Sequence, residues 1–497
     1  MSWNKMVRSK RTIAAGIVLI CAAISPFAYA AGEATLQAVT VQFPVFSAGK
    51  QVKLEKDPVV IDGSAYVPLR SLGEALGKQL DWNDWNRTIT LQEKPVITNT
   101  YELRNPGPIG SGISMGGFSA LTRLPGDPDN VFYTMGDRGP NGQIGKDKVR
   151  TFPVERFNPA IYKIKVENGA IEIVDTIKLK LPEGKANVVT GDTAVTGLSN
   201  LAGPDEIPYD EKGVKVLSYD PDGLDPESIA YNPNDDTFWI SEEYRPSLVH
   251  VKRDGTVIAR YVPQGMKAKL EAAGAQMNLV ELLPAIYNNR IANRGFEGVA
   301  ISPDGKTLYT SIQSPLAVPD KKTGEASRNL RILKVDLETV KVTGEYVYVA
   351  ENAKDYVKTE QKDEVISDLH ALSGSVLLVD ERDKLSGADS QIKRVYKSDF
   401  SKATNLLGTE WSDKLEGYSV QQLKDLGIVP VTKELAVDLV KLGYQPEKFE
   451  GLTVIDKRTI AVVNDNDYQV NYDENANLTF TGVPTQLLTI DVKTDLF

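Results

Sequence analysis

The sequence predicts a mainly β protein: a β-propeller, with six blades as the best count, preceded by a small α+β domain. The first observation is a repeated hairpin, made of a polar residue, an apolar strand, a turn rich in Gly, Pro, Asn and Asp, a second apolar strand and an acidic end. The second is a further strand pair after most hairpins, because four antiparallel strands per repeat form a propeller blade. A sixth, weaker blade is expected beside the five hairpins that are visible, which begin at Gly117, Pro226, Phe296, Ser367 and Phe449.

Residues 1–30 predict a secretory signal peptide. A basic start precedes an apolar stretch from Ile13 to Ile24, and Ala28-Tyr29-Ala30 is a small-x-small cleavage site. The alternative is an uncleaved membrane anchor, since the apolar stretch almost reaches spanning length, but the cleavage site favours a signal peptide. We therefore expect a secreted or cell-envelope-associated protein, with no membrane span after cleavage.

Residues 38–93 predict a small accessory domain. Short alternating runs indicate strands around the helix RSLGEALGKQL, which is expected to end near Gly77. AYVPLRSLGEALG, followed by Trp82 and TITL, resembles the copper amine oxidase N-terminal-like domain. Residues 40–91 contain no His, Cys or Met to hold copper, so we expect an attachment module, with the cell wall as its candidate partner. EKPVITNT is expected to be a linker.

The propeller domain is assigned to residues 100–497. Its last strand, in QLLTIDV, is expected to close the ring against the segment near Tyr101. Tandem β-sandwiches would also give many strands, but not a repeated hairpin with a recurring acidic start. Two stretches interrupt the repeat and are expected to be helical: MKAKLEAAGAQMNLVELLPAIYNNRIA and SVQQLKDLGIVPVTKELAVDLVKLGY.

The amino-acid composition argues against several classes of partner and metal site. The 497-residue chain has a formal net charge of −10, which argues against nucleic acid as a partner, because phosphate backbones need clustered Lys and Arg. The single cysteine, Cys21, lies in the signal peptide, so the mature chain offers no thiolate. With only His250 and His370, a three-histidine zinc or copper site is excluded within one chain. Any metal is therefore expected to be a hard cation held by oxygen, with calcium as the first candidate.

Acidic residues recur at equivalent positions of the hairpins. Antiparallel pairing puts the start of the first strand beside the end of the second, so both positions are expected to ring one mouth of the central channel. So many carboxylates repel one another unless they are neutralised, and bound calcium would do so; the alternative is a solvated acidic rim. Strand starts supply Glu227, Glu297, Asp368 and Glu450, and strand ends supply Asp137, Arg138, Glu242, Glu243, Gln313, Asp380, Glu381, Arg382, Asp465, Asn466 and Asp467.

Three arginines at or just behind the strand ends, Arg138, Arg245 and Arg382, suit an anionic substrate group, because guanidinium forks match carboxylate and phosphate oxygens. Arg382 and His370 are assigned to substrate binding, although His370 also fits a hydrogen-bonded rim histidine. GISMG around Ser114 matches G-x-S-x-G, but a nucleophile elbow needs a strand before it and a helix after it. This run is glycine-rich and leads into a propeller strand, so Ser114 is discounted.

Several motifs together resemble the phytase-like domain family, also called "esterase-like activity of phytase": GGFSAL with YTMGDRGPNG, LDPESIAYNP with FWISEEYRPSL, NRGFEGVAISPDGKTLYTSIQSPL, and FEGLTV with NDND. The resemblance implies a secreted or envelope-associated propeller, distantly akin to calcium-dependent propeller phytases. It also implies a set of recurring polar positions, which fall on Asp137, Arg138, Glu227, Glu242, Glu243, Arg245, Glu297, Glu450 and Asp465.

The resemblance implies hydrolysis of a phosphoric or carboxylic ester by a calcium-activated water. Glu227, Glu242, Glu297, Glu450 and Asp465 are then the metal ligands. Glu243 is the base, Arg245 stabilises developing charge, and Asp137 and Arg138 complete the catalytic set. The sequence reveals no basic cluster for a highly charged inositol phosphate, which counts against a dedicated phytase. The rival interpretation is a non-enzymatic cell-envelope binding or scaffold propeller, since fold alone does not fix function.

Export gives the first testable prediction. Because the basic start, the apolar core and the Ala-x-Ala site coincide, we expect cleavage after Ala30 and a mature protein without thiols. Sequencing of the mature N-terminus, together with a thiol titration, measures both. Exported protein that still begins at Met1 would contradict the prediction.

Overall fold

The computed structural model describes residues 38–47, 49–203 and 205–497. The chain forms two compact units, and the division falls between Lys94 and Pro95. The predicted signal peptide, residues 1–30, lies outside the described residues. Within the part of the chain that the structure describes, no helix combines the length and the apolar character needed to cross a membrane.

The first unit is a small α+β domain, as the sequence predicts. Its single α-helix in the described residues, Leu69–Ala75, is followed by Gly77 at φ +74°. The helix packs closely on the last hairpin, since a Cβ atom at Gly73 would lie 3.0 Å from the Leu91 side chain. The strands form a three-stranded sheet, Ala38–Thr40, Val59–Ile61 and Ser64–Tyr66, and two hairpins, Val45–Ser47 with Lys50–Val52 and Lys78–Asn83 with Thr88–Glu93.

The second unit is built from four-stranded antiparallel sheets in a propeller-like arrangement, and we number these sheets as blades in chain order. Blade one begins with segment 118–122, which is joined by isolated bridges, and continues with Val131–Met135, Ala160–Glu167 and Ala170–Lys178. Blade two comprises Pro226–Asn232, Thr237–Glu242, Ser247–Lys252 and Val257–Pro263. Blade three comprises Phe296–Ile301, Thr307–Ile312, Asn329–Asp336 and Lys341–Val349.

Blades four and five complete the ring. Blade four comprises Val365–Ala371, Val376–Arg382, Lys393–Asp399 and Glu434–Asp438. Blade five takes its outer strand from the start of the unit, and comprises Gly451–Asp456, Thr459–Val463, Gln486–Asp491 and Val96–Leu103. Leu487 lies opposite Tyr101, so the predicted closure is confirmed. The expected linker EKPVITNT is therefore mostly strand, because its backbone completes blade five.

The predicted count of six blades is not confirmed, because the described residues contain five such units, and a short parallel pairing of Ala170 and Ile171 with Glu102 and Leu103 joins blades one and five into one sheet. Segment 179–225 has the length of another blade but forms turns and isolated bridges. Its fold is organised by a buried carboxylate rather than by strand pairing. Asp220 accepts hydrogen bonds from the Thr196 backbone N–H at 3.1 Å and from the Asn187 amide at 2.8 Å.

The two stretches predicted as helical are helical only in part. The first contains helix Lys267–Ala272 and then strand Leu279–Leu283, which adds to blade two. The second contains helix Val420–Asp425, capped reciprocally by Ser419 and Gln422. Its continuation ELAVD is the outer strand of blade four, because pairing with the third strand of that blade outweighs the local helical pattern.

Short elements connect the blades. A further helix, Lys321–Ala326, is capped by Asp320. Two-stranded ribbons pair Pro108–Gly110 with Ile113–Ser114, Gly142–Ile144 with Val149–Thr151, and Val470–Tyr472 with Leu478–Phe480. Single 3-10 turns span Ala285–Asn289, Ala353–Asp355, Gln361–Asp363, Gly387–Asp389, Ser412–Gly417, Val440–Leu442 and Asp467–Gln469.

Asp368 links three blades across the centre of the ring. One carboxylate oxygen accepts from the Ser228 hydroxyl of blade two at 2.5 Å, and the other accepts from the Leu452 N–H of blade five at 2.7 Å. The sequence placed Asp368 in the acidic ring beside Glu297. Blades three and four bulge alike, between Phe296 and Val299 and between Ile366 and Leu369, so the counterpart of Glu297 is Ser367. Asp368 takes the position of Gly298, one residue further along the strand.

The inner strands pack so closely that a side chain at Gly451 has no room. A Cβ atom there would lie 2.6 Å from the carbonyl carbon of Ala120, and backbone atoms cannot move aside as a flexible side chain can. We expect Gly451→Ala to lower the free energy of unfolding by about 1–3 kcal/mol, measured by urea denaturation. Gly374→Ala is the matched control, because a Cβ at Gly374 meets nothing within 4 Å. Equal effects of the two substitutions would contradict the close packing.

Candidate functional site

A cavity of about 170 Å³ lies at the mouth of the channel where the predicted ring converges. Its described lining holds eight carboxylates and five cationic side chains, so the site is acidic but strongly mixed in charge. The carboxylates are Asp137, Asp225, Glu227, Glu243, Glu297, Glu447, Glu450 and Asp467, and the cations are Arg138, Arg150, Arg382, Lys384 and Lys448.

The repeat brings the three strand-start glutamates, Glu227, Glu297 and Glu450, to the same cavity. In blades two and three the first strand bulges where the glutamate stands, between Pro226 and Ser228 and between Phe296 and Val299. A bulge re-aims a side chain out of the regular pleat. The local backbone irregularity of the repeat therefore turns these carboxylates toward the channel mouth.

Two groups of three carboxylates have the spacing needed to share a cation. One oxygen from each member of a group lies within 4.8 Å of the others. The first group combines blades one and five, and the second belongs to blade two and the segment before it. The groups are Asp137, Asp465 and Asp467, and Asp225, Glu227 and Glu243.

Some buried oxygens at this site have no hydrogen-bond partner among the described residues. They are Oε1 of Glu243, Oε2 of Glu297 and Oε2 of Glu450, and each of these residues is only 2 or 3% exposed. The guanidinium of Arg382 also has one free nitrogen, Nη1. A buried polar atom without a hydrogen-bond partner costs free energy. The three carboxylate oxygens therefore suit a cation, and the guanidinium nitrogen suits an anion.

Burial raises the pKa of most carboxyls at the mouth. The pKa of Glu297 rises to about 8, because burial is reinforced by the charge of Glu450. Burial likewise raises the pKa of Asp465 to about 7 and that of Asp225 to about 6. The positive charges of Lys448 and Arg138 lower the pKa of Asp465 and Asp225, respectively, but only in part offset burial. The pKa of Glu243 is raised well above its usual value by burial and then by Glu297. Without a cation, the cavity therefore favours protonated carboxyls near neutral pH.

Fixed ion pairs offset part of the negative charge. The Lys448 ammonium donates to Asp465 at 2.5 Å and to Asp467 at 2.7 Å. Arg382 donates to Glu450 at 2.6 Å and to the Ser367 hydroxyl at 2.8 Å. The first carboxylate group is thus partly neutralised by a lysine, whereas Glu243 and Glu297 keep unmatched oxygens.

Arg138 is held rigidly beside the cavity. Its guanidinium lies 3.9 Å from the ring centre of Tyr244 and 4.5 Å from that of Phe152. It also approaches Asp225 at 3.8 Å, and the Arg138 backbone N–H donates to the other oxygen of Asp225 at 3.0 Å. Asp225 and Arg138 are therefore positioned by each other.

The turn after Asp465 stores backbone strain. Asp467, Tyr468 and Gln469 have φ values of 49°, 53° and 62°, and each such non-glycine residue costs about 1–3 kcal/mol. The Tyr468 side chain packs against two glycines and so fixes the turn. A Cβ atom at Gly117 would lie 2.3 Å from the Tyr468 ring, and one at Gly136 would lie 2.2 Å from its hydroxyl oxygen. This packing holds the carboxylates of the turn beside Asp137.

Four residues of the predicted site are absent from the described lining of the cavity: Glu242, Arg245, Asp465 and His370. Asp465 lines an adjoining cavity together with Asp467. Glu242 is fully buried and pairs with Arg260 at 2.8 Å, because neighbouring residues of a strand point to opposite faces and Glu243 takes the cavity side. Arg245 donates to backbone carbonyls, including Pro221 O at 2.9 Å. We therefore assign both to structural roles.

His370 lies in a different pocket. It lines a cavity of about 230 Å³ with residues from the far ends of the inner strands, such as Tyr231 and Ile301. Burial and the nearby charge of Arg123 lower the pKa of His370 to about 4, so the ring is neutral. The substrate-binding role predicted for His370 does not fit this position. Of the other predicted residues, Asp380 and Glu381 are buried and also lie outside the described lining of the acidic cavity, and Glu381 accepts a hydrogen bond from Lys433 at 2.6 Å.

Several residues of the cavity escaped the sequence analysis: Asn141, Arg150, Asp225, Asn293, Lys384, Glu447 and Lys448. Most come from loops outside the repeated hairpin. A signal was available for two of them, since Asp225 directly precedes the Pro-Glu strand start and Lys448 directly precedes Phe-Glu-Gly. The cavity therefore holds a basic cluster that the sequence did not reveal as a whole, because Lys384 and Lys448 come from loops and join arginines at strand ends.

Comparisons with known proteins agree with the motifs. The family model "Phytase-like: Esterase-like activity of phytase" matches residues 113–468, and "Copper amine oxidase N-terminal domain" matches residues 32–101. An "Uncharacterized secreted protein" of Arthroderma benhamiae is 27% identical over 451 residues, covering 77% of this chain and 85% of the relative.

Solved structures give only distant likenesses. The PQQ-bound aldose sugar dehydrogenase of Streptomyces coelicolor is 8% identical, with a TM-score of 0.30 over 92% of this chain and 98% of that one. A luciferin-regenerating enzyme is 9% identical, with a TM-score of 0.29 over 84% of each chain. These TM-scores are too low to indicate a shared fold.

The raised pKa values predict how stability depends on pH. A carboxyl with a raised pKa binds more protons in the native state than in the unfolded state, so its contribution is lost as pH rises through the folded value. In a chelator we expect the Tm to fall between pH 6.5 and pH 8, where Asp465 and Glu297 ionise at about 7 and about 8. The window lies above the ordinary pKa of histidine, so His370 does not contribute.

Calcium should restore the Tm at pH 8, because a ligand that binds only the native state stabilises it. Scanning calorimetry with chelator and with calcium measures both effects. Glu297→Gln is the matched variant and should reduce the pH-dependent fall. A Tm that rises from pH 6.5 to pH 8 in chelator would contradict the prediction.

Proposed function

Because the chain belongs to the phytase-like family, "esterase-like activity of phytase", we propose that it is a calcium-dependent hydrolase of phosphoric or carboxylic esters that acts at the channel mouth. The observation that carries the proposal is the set of buried carboxylate oxygens without partners beside a guanidinium nitrogen without a partner. A cation would bind the carboxylate oxygens, and an anionic substrate group would accept a hydrogen bond from the guanidinium nitrogen.

The residues fit a hard cation. Calcium takes six to eight oxygen ligands in tolerant geometry. Asp225 and Glu227 offer carboxylate oxygens within 4.8 Å of each other and of a Glu243 oxygen, which leaves Glu243 beside the ion. Glu297 adds an unmatched oxygen to the same cavity. A calcium ion bound there would neutralise the carboxylates and polarise a phosphoryl or acyl oxygen. Glu242, part of the ligand set expected from the sequence, is replaced in this proposal by Asp225.

The cationic side chains fit an anionic substrate. Nη1 of Arg382 is free to donate to a substrate oxygen, while its other nitrogens are anchored on Ser367 and Glu450. Lys384 lines the cavity, and burial lowers its pKa to about 8. A guanidinium and an ammonium within one small cavity suit a phosphoryl group better than a neutral carboxylic ester. We therefore place phosphoesters first.

Glu243 is the proposed general base. Its Oε1 is buried and unmatched in a cavity that also holds the anion-binding groups, so it can accept a proton from an attacking water. Burial raises its pKa, which strengthens it as a base once it is ionised. Arg382 takes the charge-stabilising role that the sequence had given to Arg245.

We propose an extracellular or envelope location for this activity. The predicted signal peptide and the name of the Arthroderma benhamiae relative, a secreted protein, support it. Millimolar calcium outside cells would keep a site of moderate affinity loaded. The N-terminal domain is proposed to attach the protein to the cell wall.

Two substitutions are expected to distinguish the residues that bind calcium from the residue that acts in turnover. Glu297→Gln should weaken calcium binding about ten- to hundred-fold, because it removes one charge and keeps the shape. Glu243→Gln should reduce kcat on a model phosphoester by about 10²–10⁴-fold, which is more than it reduces calcium affinity. Calorimetric titration and a hydrolysis assay measure the two quantities.

The control is Glu338→Gln, since the Glu338 side chain is 64% exposed and pairs with Lys306 on the surface. It should change neither calcium affinity nor turnover. Calcium binding without hydrolysis of phosphoric or carboxylic esters would favour the rival binding platform. If calcium neither binds nor stabilises, the acidic mouth is a solvated rim and the proposal is wrong.

Arg382→Lys tests the anion-binding role. A lysine cannot donate to Ser367, Glu450 and a substrate at once in a fixed plane, so KM for phosphoesters should rise at least about tenfold, while KM for neutral carboxylic esters should change little. Steady-state kinetics on both substrate classes measures the difference. Equal changes for the two classes would show that Arg382 supports the fold and does not bind the anion.

A further inference from the structure

A second, larger cavity adjoins the acidic mouth. This groove has a volume of about 830 Å³ and is lined by segments 386–387, 443–448, 465–470 and 481–488 of blades four and five, together with Ile97 and Thr100. Glu447, Lys448 and Asp467 line both the groove and the acidic cavity. The two spaces therefore meet at the residues that carry charge, and a ligand with its anionic end in the acidic cavity can extend into the groove.

The lining of the groove differs in chemistry from that of the acidic cavity. Away from the shared residues it consists mainly of apolar and glycine backbone surface, with Val483 and Pro484 on one wall and Tyr444 on another. Lys448 is the sole cation among the described lining residues. A second phosphoryl group would find no partner there, whereas an uncharged organic group would bury apolar surface.

The walls of the groove are fixed to the acidic site. Asn464 and Asn466 flank Asp465 in sequence, and their side-chain amides donate to Pro484 O at 3.0 Å and to Val483 O at 2.9 Å. On the opposite wall the Tyr444 hydroxyl donates to Lys448 O at 2.7 Å. These contacts make a preformed site whose position relative to the charged residues is set by hydrogen bonds.

We propose that this groove binds the uncharged organic group of the substrate, so that the preferred substrate is a monoester with one anionic end and an extended aromatic or aliphatic group. The proposal rests on the proposed function for the position of the anionic end. It excludes polyphosphorylated substrates as the preferred class, because the groove lacks the cations that a second phosphoryl group requires.

Binding tests the groove separately from catalysis. The probes are 1-naphthylphosphonate and methylphosphonate, which cannot be hydrolysed at the P–C bond as an ester would be. With calcium present, we expect the naphthyl compound to bind at least about tenfold more tightly, because it alone has apolar surface to place in the groove. Calorimetric titration measures both dissociation constants.

Val483→Trp fills the groove and should abolish the preference for the naphthyl compound while leaving the affinity for methylphosphonate unchanged. Val174→Trp is the matched control, because Val174 is 51% exposed on the outer strand of blade one. Equal affinity of the wild-type protein for the two compounds, or a preference that survives Val483→Trp, would overturn the groove proposal. A retained preference without any ester hydrolysis would overturn the proposed function and leave the groove proposal standing.

Discussion

The rest of the structure depends on the close approach of the inner strands at the centre of the ring. Asp368 accepts hydrogen bonds from blades two and five while it belongs to blade four, and Gly451 leaves room for the backbone of blade one. These contacts bring the inner strands of blades one, two, four and five together at the centre. The carboxylates at the mouth line a small cavity and are crowded by the fold, and burial raises the pKa of several of them.

Charge is retained at this mouth in spite of its cost. Buried like charges are costly unless they are paired, protonated or bound to an ion. In this cavity some carboxylates form ion pairs, and raised pKa values favour protonation of others. Lys448 pairs with Asp465 and Arg382 pairs with Glu450. Strain in the turn from Asp467 to Gln469 adds to the cost. A fold optimised for stability alone would not assemble these features, and their coincidence supports a ligand site.

The sequence predicted the parts of the site that follow the repeat and missed those that do not. Glu227, Glu297 and Glu450 occupy one repeated position, so recurrence identified them. Glu242 was wrongly included because the two-residue period of a strand turns it away from Glu243. Asp368 was misplaced by one residue, because blade four has Ser367 at the position where blade three has Glu297. Lys384 and Lys448 lie in loops, where sequence alone does not indicate which mouth of the ring they reach. The count of six blades is not confirmed for a related reason, because segment 179–225 folds around Asp220 and not by strand pairing.

The closure of blade five by the first strand of its unit has a consequence for biosynthesis. The hydroxyl of Thr98 donates to the carbonyl of Thr489, which is 391 residues away. A ribosome releases the earlier strand long before its partner exists, so the ring cannot be sealed until synthesis is nearly complete. Until then Val96–Leu103 can pair only at Glu102 and Leu103, with Ala170 and Ile171 of blade one, and the rest of the strand is an open edge, which invites pairing with other chains. Export in an unfolded state, followed by folding of the whole chain at once, would shorten that exposure.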